Sequence, residues 1–320
     1  MVLGITKIII LAYLQMSKKG VVYTYLIFIF QKIICESQSC FPMLFVKIGG
    51  KMNIAFWSMT SGRSATSSNM LAVGAMSALA YSVEGTLLQL DQFSMSLDEA
   101  FGERRQTNLL MEEYSYYSKK GIDRLVDKAQ LEDINIDDLK DNAVPVKDTN
   151  MNYVPASKRV GLGNSSREMQ LFVRKVFDVL DKEKEFNFID CENGEIAISK
   201  AILKSADVVV INLCQGMSLD TLDLDKEILK KAVFLVGKYD DASKEDVTQI
   251  RRKYGIGRGD IATIPYNIRF HDAIHEGKLL AYISKNMNTK INDDNLSFIN
   301  SVFLATDMIL RKAGYDERSR

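Results

Sequence analysis

A short loop between an apolar run and an amphipathic run carries the residue types that could hold an anion. It reads Ser58-Met59-Thr60-Ser61-Gly62-Arg63-Ser64-Ala65-Thr66-Ser67-Ser68-Asn69. Small residues let backbone N–H groups turn toward a bound group, and a helix that begins after such a loop adds the positive end of its dipole. The hydroxyl groups add ligands for phosphate oxygens or Mg²⁺. The same residues also suit the cap of a purely structural helix, so the loop alone leaves both interpretations open.

The elements that must position this loop are predicted by an alternation of short β-rich runs with amphipathic runs from Met52 onward. The predicted strands are Asn53–Ser58, Thr86–Asp91, Met151–Val154, Phe186–Asp190, Asp207–Leu213, Val233–Lys238 and Ile261–Ile264. The predicted helices are Ser68–Tyr81, Leu97–Leu110, Gly121–Lys128, Arg167–Lys182, Ile196–Lys204, Ser243–Tyr254, His271–Tyr282 and Asn295–Lys312. The acidic stretch Glu132–Asp148 is interpreted as a loop with short helical pieces. This order predicts an α/β fold with a doubly wound, mostly parallel sheet flanked by helices.

Composition excludes several classes of protein. The 320 residues are 47% hydrophobic and 26% charged, which is typical of a globular protein and not of a collagen-like or disordered chain. The chain has 41 basic and 41 acidic residues. Because a phosphate-neutralising face usually makes a nucleic-acid-binding domain strongly basic, this balance argues against an obligate nucleic-acid binder, although a local basic patch is compatible with it.

The first 51 residues differ in composition from the rest. They hold six lysines and one acidic residue, Glu36, and their apolar stretches Ile8–Leu14 and Val21–Phe30 are too short to span a bilayer. We expect this segment to be upstream sequence read in frame, because Gly49-Gly50-Lys51-Met52 can be encoded as a purine-rich ribosome-binding site before a start codon. The alternative is a short targeting segment.

Cysteine usage follows from this interpretation. If the native chain begins at Met52, Cys35 and Cys40 are irrelevant and only Cys191 and Cys214 remain. Two cysteines are too few for a disulfide framework and are typical of a reduced cytosol.

Six motifs, taken in order from Met52 to about Ser284, resemble those of the MinD/ParA-like branch of P-loop NTPases, the deviant Walker A group. The motifs are Ser61-Gly62-Arg63 with the following small residues, Thr86–Asp91, Asn152–Ser157, the Walker B-like Phe186–Gly194, Ala206–Val210, and Ile264-Pro265-Tyr266-Asn267 with Glu276-Gly277-Lys278. The resemblance implies the P-loop NTPase fold, with residues 52–320 as a single domain, and ATP with Mg²⁺ as ligands.

The departures from the family pattern bear on activity. Ser67 or Ser68 stands in place of the Walker A lysine, and the shortened loop does not show which. Arg63 stands in place of the other family lysine, which reaches across a dimer interface to the partner's nucleotide. Gln89 occupies the position of an aspartate that would position the attacking water. Since each lost electrostatic stabiliser costs roughly 10²–10³ in turnover, the resemblance with these departures implies weak or absent hydrolysis.

The resemblance assigns roles to particular residues. Nucleotide-binding candidates are Gly62, Arg63, Ser64, Ala65, Thr66, Ser67 and Ser68 for the phosphates, and Tyr266 and Asn267 for the base. Asp190 is the first candidate for Mg²⁺, with Asp91 second and Ser68 as a hydroxyl ligand. Asp91 and Gln89 are the catalytic candidates. The alternative is that both aspartates only cap the turns after their strands.

The sequence therefore predicts a nucleotide-responsive spatial organiser that forms a homodimer and serves a pilus, secretion or partition apparatus. Its predicted location is the cytoplasm, with the inner face of the membrane as a further possibility. The loss of the lysine resembles the TadZ/CpaE-like proteins. One alternative is an active, DNA-stimulated partition ATPase, and another is a nucleotide-free scaffold. Nucleic-acid binding is not favoured, and any membrane contact is expected to be indirect.

Two further patterns are given structural interpretations. His271 and His275 have the spacing of a two-histidine metal site, but no third ligand lies nearby in sequence. The apolar repeat between Leu296 and Lys312 has few cations on its polar face, so we expect it to pack against the sheet and not on a membrane.

Overall fold

The computed structural model describes eight ranges of the chain: residues 52–91, 96–101, 120–157, 167–181, 185–194, 196–216, 224–288 and 294–315. All of them belong to one compact unit of the chain. The predictions made for residues 1–51, and for the part of the Leu97–Leu110 helix beyond residue 101, lie outside the described residues. The proposed start at Met52 therefore stays a prediction.

Eight strands form one sheet in the described part of the chain. They are β1 Met52–Trp57, β2 Gly85–Gln89, β3 Val144–Pro145, β4 Met151–Val154, β5 Phe186–Asp190, β6 Val208–Leu213, β7 Ala232–Tyr239 and β8 Ile261–Pro265. The spatial order is β3-β4-β2-β5-β1-β6-β7-β8. Every neighbouring pair is parallel except β3 and β4, which are antiparallel at one edge. The predicted doubly wound, mostly parallel sheet is confirmed.

Helices cover the sheet, and their bounds agree with most of the predicted segments. They are α1 Thr66–Tyr81, α2 Leu97–Phe101, α3 Ile122–Leu131, α4 Ile136–Asn142, α5 Arg167–Leu180, α6 Ala197–Ser205, α7 Lys226–Lys230, α8 Val247–Lys253, α9 Ile268–His275, α10 Leu279–Met287 and α11 Asp294–Lys312. A short 3₁₀ turn, Arg258–Asp260, precedes β8. Within the acidic stretch Glu132–Asp148, the structure has the short helix α4 and the two-residue strand β3.

The centre of the sheet lies at β1, which is buried over Asn53–Trp57. The neighbouring β6 is buried along its whole length, as a strand covered on both faces should be. The chain leaves β1 toward α1 and β2 on one side, whereas β6, β7 and β8 lie on the other. Ligands of open α/β sheets bind where the strand order reverses in this way, at the carboxyl ends of the strands. The loop after β1 is therefore at the position where a ligand is expected.

One predicted helix is wrong in its extent. The segment predicted as a single helix over His271–Tyr282 is two helices, α9 and α10, because the chain turns at Gly277 with φ 68°. The N–H of Lys278 donates to the carbonyl of Ala273 at 2.8 Å, which closes the end of α9. A glycine in the left-handed region is the usual way to end a helix.

The C-terminal helix α11 packs inside the protein, as predicted. Its apolar residues Phe298, Val302, Ile309 and Leu310 are buried, and the helix lies against β8 and α1. No helix in the described part of the chain is long and apolar enough to cross a bilayer.

Candidate functional site

The loop between β1 and α1 is held from below by hydroxyl groups. The Ser58 hydroxyl donates to the Ser64 hydroxyl at 2.8 Å and accepts the Thr60 N–H at 3.2 Å. Ser58 and Ser64 are both fully buried. Gly62 and Ala65 have positive φ values of 72° and 56°, which turn the chain into the helix. The loop is therefore anchored at its base and turned outward at its tip.

The tip of the loop presents backbone donors. Ser61, Gly62 and Arg63 are exposed. Among the described residues, none of the N–H groups of residues 61–67 donates a well-formed hydrogen bond to a protein acceptor. Helix α1 begins at Thr66 with no side-chain cap. The donors at its positive end are thus available to an anion, which is the property that a purely structural cap would lack.

Two buried asparagines form the floor under the loop. Asn69 Nδ2 donates to Asn212 Oδ1 at 2.8 Å and to the carbonyl of Ser64 at 3.3 Å. Asn212, on β6, donates in turn to the carbonyls of Trp57 and Val210. This network joins α1, β6 and the end of β1, so the loop is held rigidly between two strands.

A second chain of hydrogen bonds connects three segments that are distant in sequence. Thr66 Oγ1 donates to Asn193 Oδ1 at 3.1 Å, and Asn193 Nδ2 donates to Asp91 Oδ2 at 3.2 Å. The loop after β5 is also fixed to β1, because Gly194 N donates to the carbonyl of Ser58 at 2.8 Å. A hydroxyl at the start of α1, an amide after β5 and a carboxylate after β2 therefore meet beside the loop.

Asp190 lies at the end of β5 in the middle of this edge. Its backbone is in register with Phe56 of β1 and Gln89 of β2, and its side chain is fully buried. Burial raises the pKa of the neighbouring Cys191 thiol well above its usual value, and the charges of Asp190 and Asp91 raise it further. The carboxylates of Asp190 and Asp91 are therefore both close enough to Cys191 to change the pKa of its thiol.

Gln89 has a structural partner. Its side-chain oxygen accepts the N–H of Leu97 at 3.1 Å, at the start of α2, and the residue is only 2% exposed. The oxygen that would orient a water molecule is thus used to anchor a helix. The catalytic role predicted for Gln89 stays a prediction that this contact does not favour.

Ser67 and Ser68 lie in the first turn of α1 and are buried. Neither position carries the charge that a lysine would bring to the loop. The hydroxyl that reaches toward the carboxylates through Asn193 belongs to Thr66. Ser68 as a metal ligand stays a prediction.

The two residues predicted for a base pocket have different environments. Asn267 is buried, caps α9 by accepting the Phe270 N–H at 2.9 Å, and donates to Asn295 Oδ1 at 3.2 Å. These contacts use both ends of its amide inside the fold, and so do not favour its contact with a base. Tyr266 is 54% exposed and stacks on His271, with ring centroids 5.0 Å apart and planes at 30°. Of the pair, Tyr266 presents a ring to solvent.

The histidine pair has no third metal-ligating side chain grouped with it among the described residues. His271 and His275 lie on α9, and no group of three or more His, Cys, Asp or Glu side chains in the described residues could hold a metal ion. His275 Nδ1 instead lies 3.4 Å from Glu99 of α2. Burial lowers the pKa of His271, and the nearby charge of Lys238 lowers it further.

The sequence motifs missed one residue at the loop. Lys238, at the end of β7, donates from Nζ to the carbonyl of Gly62 at 3.0 Å. Its sequence context, inside a predicted strand, gave no sign of this contact. The importance of Asn193 was also missed, although it lies within the Walker B-like motif.

Several solved structures have a similar fold. A ParA family ATPase from Chlorobium tepidum has a TM-score of 0.55 at 11% identity, covering 82% of this chain and 98% of that one. The septum site-determining protein MinD from Pyrococcus horikoshii, complexed with Mg-ADP, has a TM-score of 0.55 at 14% identity, covering 82% and 97%. A plasmid partition protein from Borrelia burgdorferi, bound to AMPPNP, has a TM-score of 0.54 at 15% identity, covering 82% and 99%.

These structures define the class of fold. The described part of this chain has the fold of the ParA and MinD ATPases, a mostly parallel sheet flanked by helices. No protein-family model matches the sequence, and no curated protein matches it. The likeness is therefore one of fold, and activity has to be argued from the site.

Proposed function

We propose that the chain is a MinD/ParA-like nucleotide-binding protein that binds ATP with Mg²⁺ and hydrolyses it slowly or not at all. The observation that carries this proposal is the loop between β1 and α1, whose N–H groups at residues 61–67 have no well-formed protein acceptor among the described residues. A loop that served only the fold would be expected to use these donors internally. Those of Thr66 and Ser67 belong to the first turn of α1, whose positive end suits phosphate oxygens.

The residues beside the loop fit a magnesium ion. Mg²⁺ prefers oxygen ligands, and typically keeps waters and substrate phosphates while contacting one or two protein groups. Thr66, Asp91 and Asp190 supply a hydroxyl and two carboxylates at one edge of the sheet. A bound ion would neutralise phosphate charge there. Asn193, which bridges Thr66 and Asp91, would hold both groups in place.

Slow turnover follows from what the site lacks. The loop from Ser58 to Asn69 contains no lysine, and Arg63 is its single cation. Gln89 is bound to the start of α2. A site whose loop lacks the lysine that would stabilise the transferred phosphate, and that lacks a positioned base, retains affinity more readily than rate, because catalysis depends on interactions specific to the transition state.

Tyr266 is the base contact that the environment favours. Its exposed ring, stacked on His271, offers a flat apolar surface on which a nucleobase can lie. Stacking of this kind is tolerant of base identity. We therefore propose modest discrimination between purine nucleotides.

We further propose that nucleotide binding sets the affinity for a partner, through a homodimer with the nucleotide at its seam. Arg63 supports this arrangement, because it lies exposed at the tip of the loop and forms no ion pair among the described residues. A guanidinium there is available to a phosphate on a second copy. A pilus, secretion or partition apparatus at the cytoplasmic side of a membrane is the proposed setting.

Calorimetric titration of the full-length protein with ATP and Mg²⁺, combined with a phosphate-release assay, tests the proposal. Binding with turnover near the blank rate supports it. The absence of heat at millimolar ATP would favour a nucleotide-free scaffold. Rapid hydrolysis that DNA accelerates would favour a partition ATPase instead. Light scattering with and without nucleotide tests the dimer, and a monomer at saturating ATP would contradict it.

A further inference from the structure

The backbone at the end of β7 is unusual at a single residue. Lys238 has φ 49°, in the left-handed region that residues other than glycine seldom adopt. It is also the extra residue of a bulge, because Gly237 pairs with Ile264 and Tyr239 pairs with Pro265 on β8. Bulges of this kind redirect a side chain that regular pairing would place elsewhere.

The bulge directs Lys238 at the phosphate-binding loop proposed above. Its Nζ donates to the carbonyl of Gly62 at 3.0 Å. The preceding Gly237 contacts the loop so closely that a Cβ there would lie 2.2 Å from the carbonyl oxygen of Ser64. An ammonium group has three donors, and the contact with Gly62 uses one of them. The strand therefore delivers a cation with unused donors to the tip of the loop.

The charge of Lys238 has no acidic partner in the described part of the chain, where the residue forms no ion pair. Its field acts instead on His271, whose pKa it lowers in addition to burial. His271 in turn stacks on the exposed ring of Tyr266, so the charge of Lys238 acts both at the loop and near the residues proposed for the base. A positive charge beside the N–H groups of an exposed loop is an arrangement suited to an anion.

We propose that Lys238 supplies, from the neighbouring strand, the ammonium group that the loop itself lacks, and that it contacts the phosphates of the bound nucleotide. The inference rests on the proposed function, since it concerns the same site. The competing explanation is that Lys238 only holds the loop in shape through Gly62. The two differ in whether the charge of the lysine matters for affinity.

The experiment compares the full-length protein with Lys238→Gln, which keeps a donor and removes the charge. ATP affinity is measured by calorimetry at about 50 mM and about 500 mM salt. Lys244→Gln, at an exposed site nearby in sequence, is the matched control. We expect Lys238→Gln to bind ATP roughly 10- to 100-fold more weakly at low salt, and the difference to shrink at high salt because a charge contact is screened. The control is expected to equal the unmodified protein.

Three results would overturn the inference. Equal affinity of the Lys238→Gln variant, or a loss of the same size at both salt concentrations, would leave the proposed function standing and assign Lys238 to loop shape alone. Failure of the unmodified protein to bind ATP would overturn the proposed function and this inference together. Thermal unfolding without nucleotide verifies that the variant is folded.

Discussion

Asn69 and Asn212 form a buried hydrogen bond, 2.8 Å between Nδ2 and Oδ1, that ties the first turn of α1 to β6 directly beneath the loop. Asn69 is 2% exposed and Asn212 is fully buried. We expect Asn69→Ala to lower the free energy of unfolding by about 1–3 kcal/mol, because it leaves the Asn212 oxygen and the Ser64 carbonyl without their donor. Urea unfolding followed by circular dichroism measures the change.

Asn288→Ala is the control, because Asn288 is exposed and, among the described residues, its side chain bonds only to the carbonyl of Ser284 at 3.0 Å. The double variant Asn69→Ala/Asn212→Ala is expected to cost less than the sum of the two single changes, since both break the same contact. Additive losses would mean that the two side chains act independently, contrary to the network described here.

The contact between Gly237 and the loop predicts a steric effect. Gly237→Ala would place a methyl group 2.2 Å from the Ser64 carbonyl oxygen, so either β7 or the loop must move. We expect a loss of about 1–3 kcal/mol in the free energy of unfolding, together with weaker ATP binding. Gly259→Ala is the control, because nothing lies within 4 Å of a Cβ at that position. Equal stability and affinity of the two variants would refute the close approach.

The hydrogen-bond chain from Thr66 through Asn193 to Asp91 predicts an effect on magnesium. Thr66→Val keeps the shape of the side chain and removes its hydroxyl. We expect ATP affinity in the presence of Mg²⁺ to fall roughly 5- to 30-fold, and affinity in the presence of EDTA to change little. Calorimetry measures ATP affinity of the variant and of the unmodified protein, once with Mg²⁺ and once with EDTA. Thr263→Val on β8 is the control. An equal loss with and without Mg²⁺ would indicate a defect in the loop and not in ion binding.

Burial of Cys191 predicts a dependence of stability on pH. Burial raises the pKa of this thiol, as do the charges of Asp190 and Asp91, so the folded protein keeps the proton that the unfolded chain loses above about pH 8.5. The contribution of Cys191 to the free energy of unfolding is therefore fully present below about pH 8.5 and falls as the pH rises above that value. Between pH 8.5 and 9.5 we expect the unmodified protein to lose about 1 kcal/mol more than Cys191→Ala does.

Urea unfolding at several pH values tests this expectation. Cys214→Ala serves as the control, because Cys214 is only partly buried, and its curve should parallel that of the unmodified protein. Parallel curves for Cys191→Ala as well would show that the thiol ionises as readily in the folded protein as in the unfolded chain.

The sheet was predictable because each strand is a short apolar run that carries its own signal. Phe186–Asp190 and Met151–Val154 were predicted at their observed bounds. The two-residue strand β3 is too short to give a pattern. The break between α9 and α10 did have a signal, Gly277, which is a typical helix terminator. Because Gly277 was interpreted as part of a family motif, its role in ending a helix was not predicted.

The site was predictable only in part. Gly62, Arg63 and Thr66 lie in one contiguous loop, so their proximity follows from sequence. Asn193, after β5, and Lys238, on β7, reach that loop from distant parts of the chain, and such contacts depend on strand order and backbone conformation. The φ of Lys238 arises from the bulge against β8, which no local pattern encodes. Likewise, the capping contact of Asn267 depends on α9 beginning where it does.

Hydrogen–deuterium exchange of the full-length protein tests the central claim, that the loop between β1 and α1 is a phosphate cradle. Exchange of peptides covering residues 58–69 is measured with and without saturating ATP and Mg²⁺. We predict slower exchange of the amides at residues 61–67 when nucleotide is present, with adenosine giving no such protection. Unchanged exchange in this loop, in a sample that calorimetry shows to have bound ATP, would place the phosphates elsewhere and contradict the account.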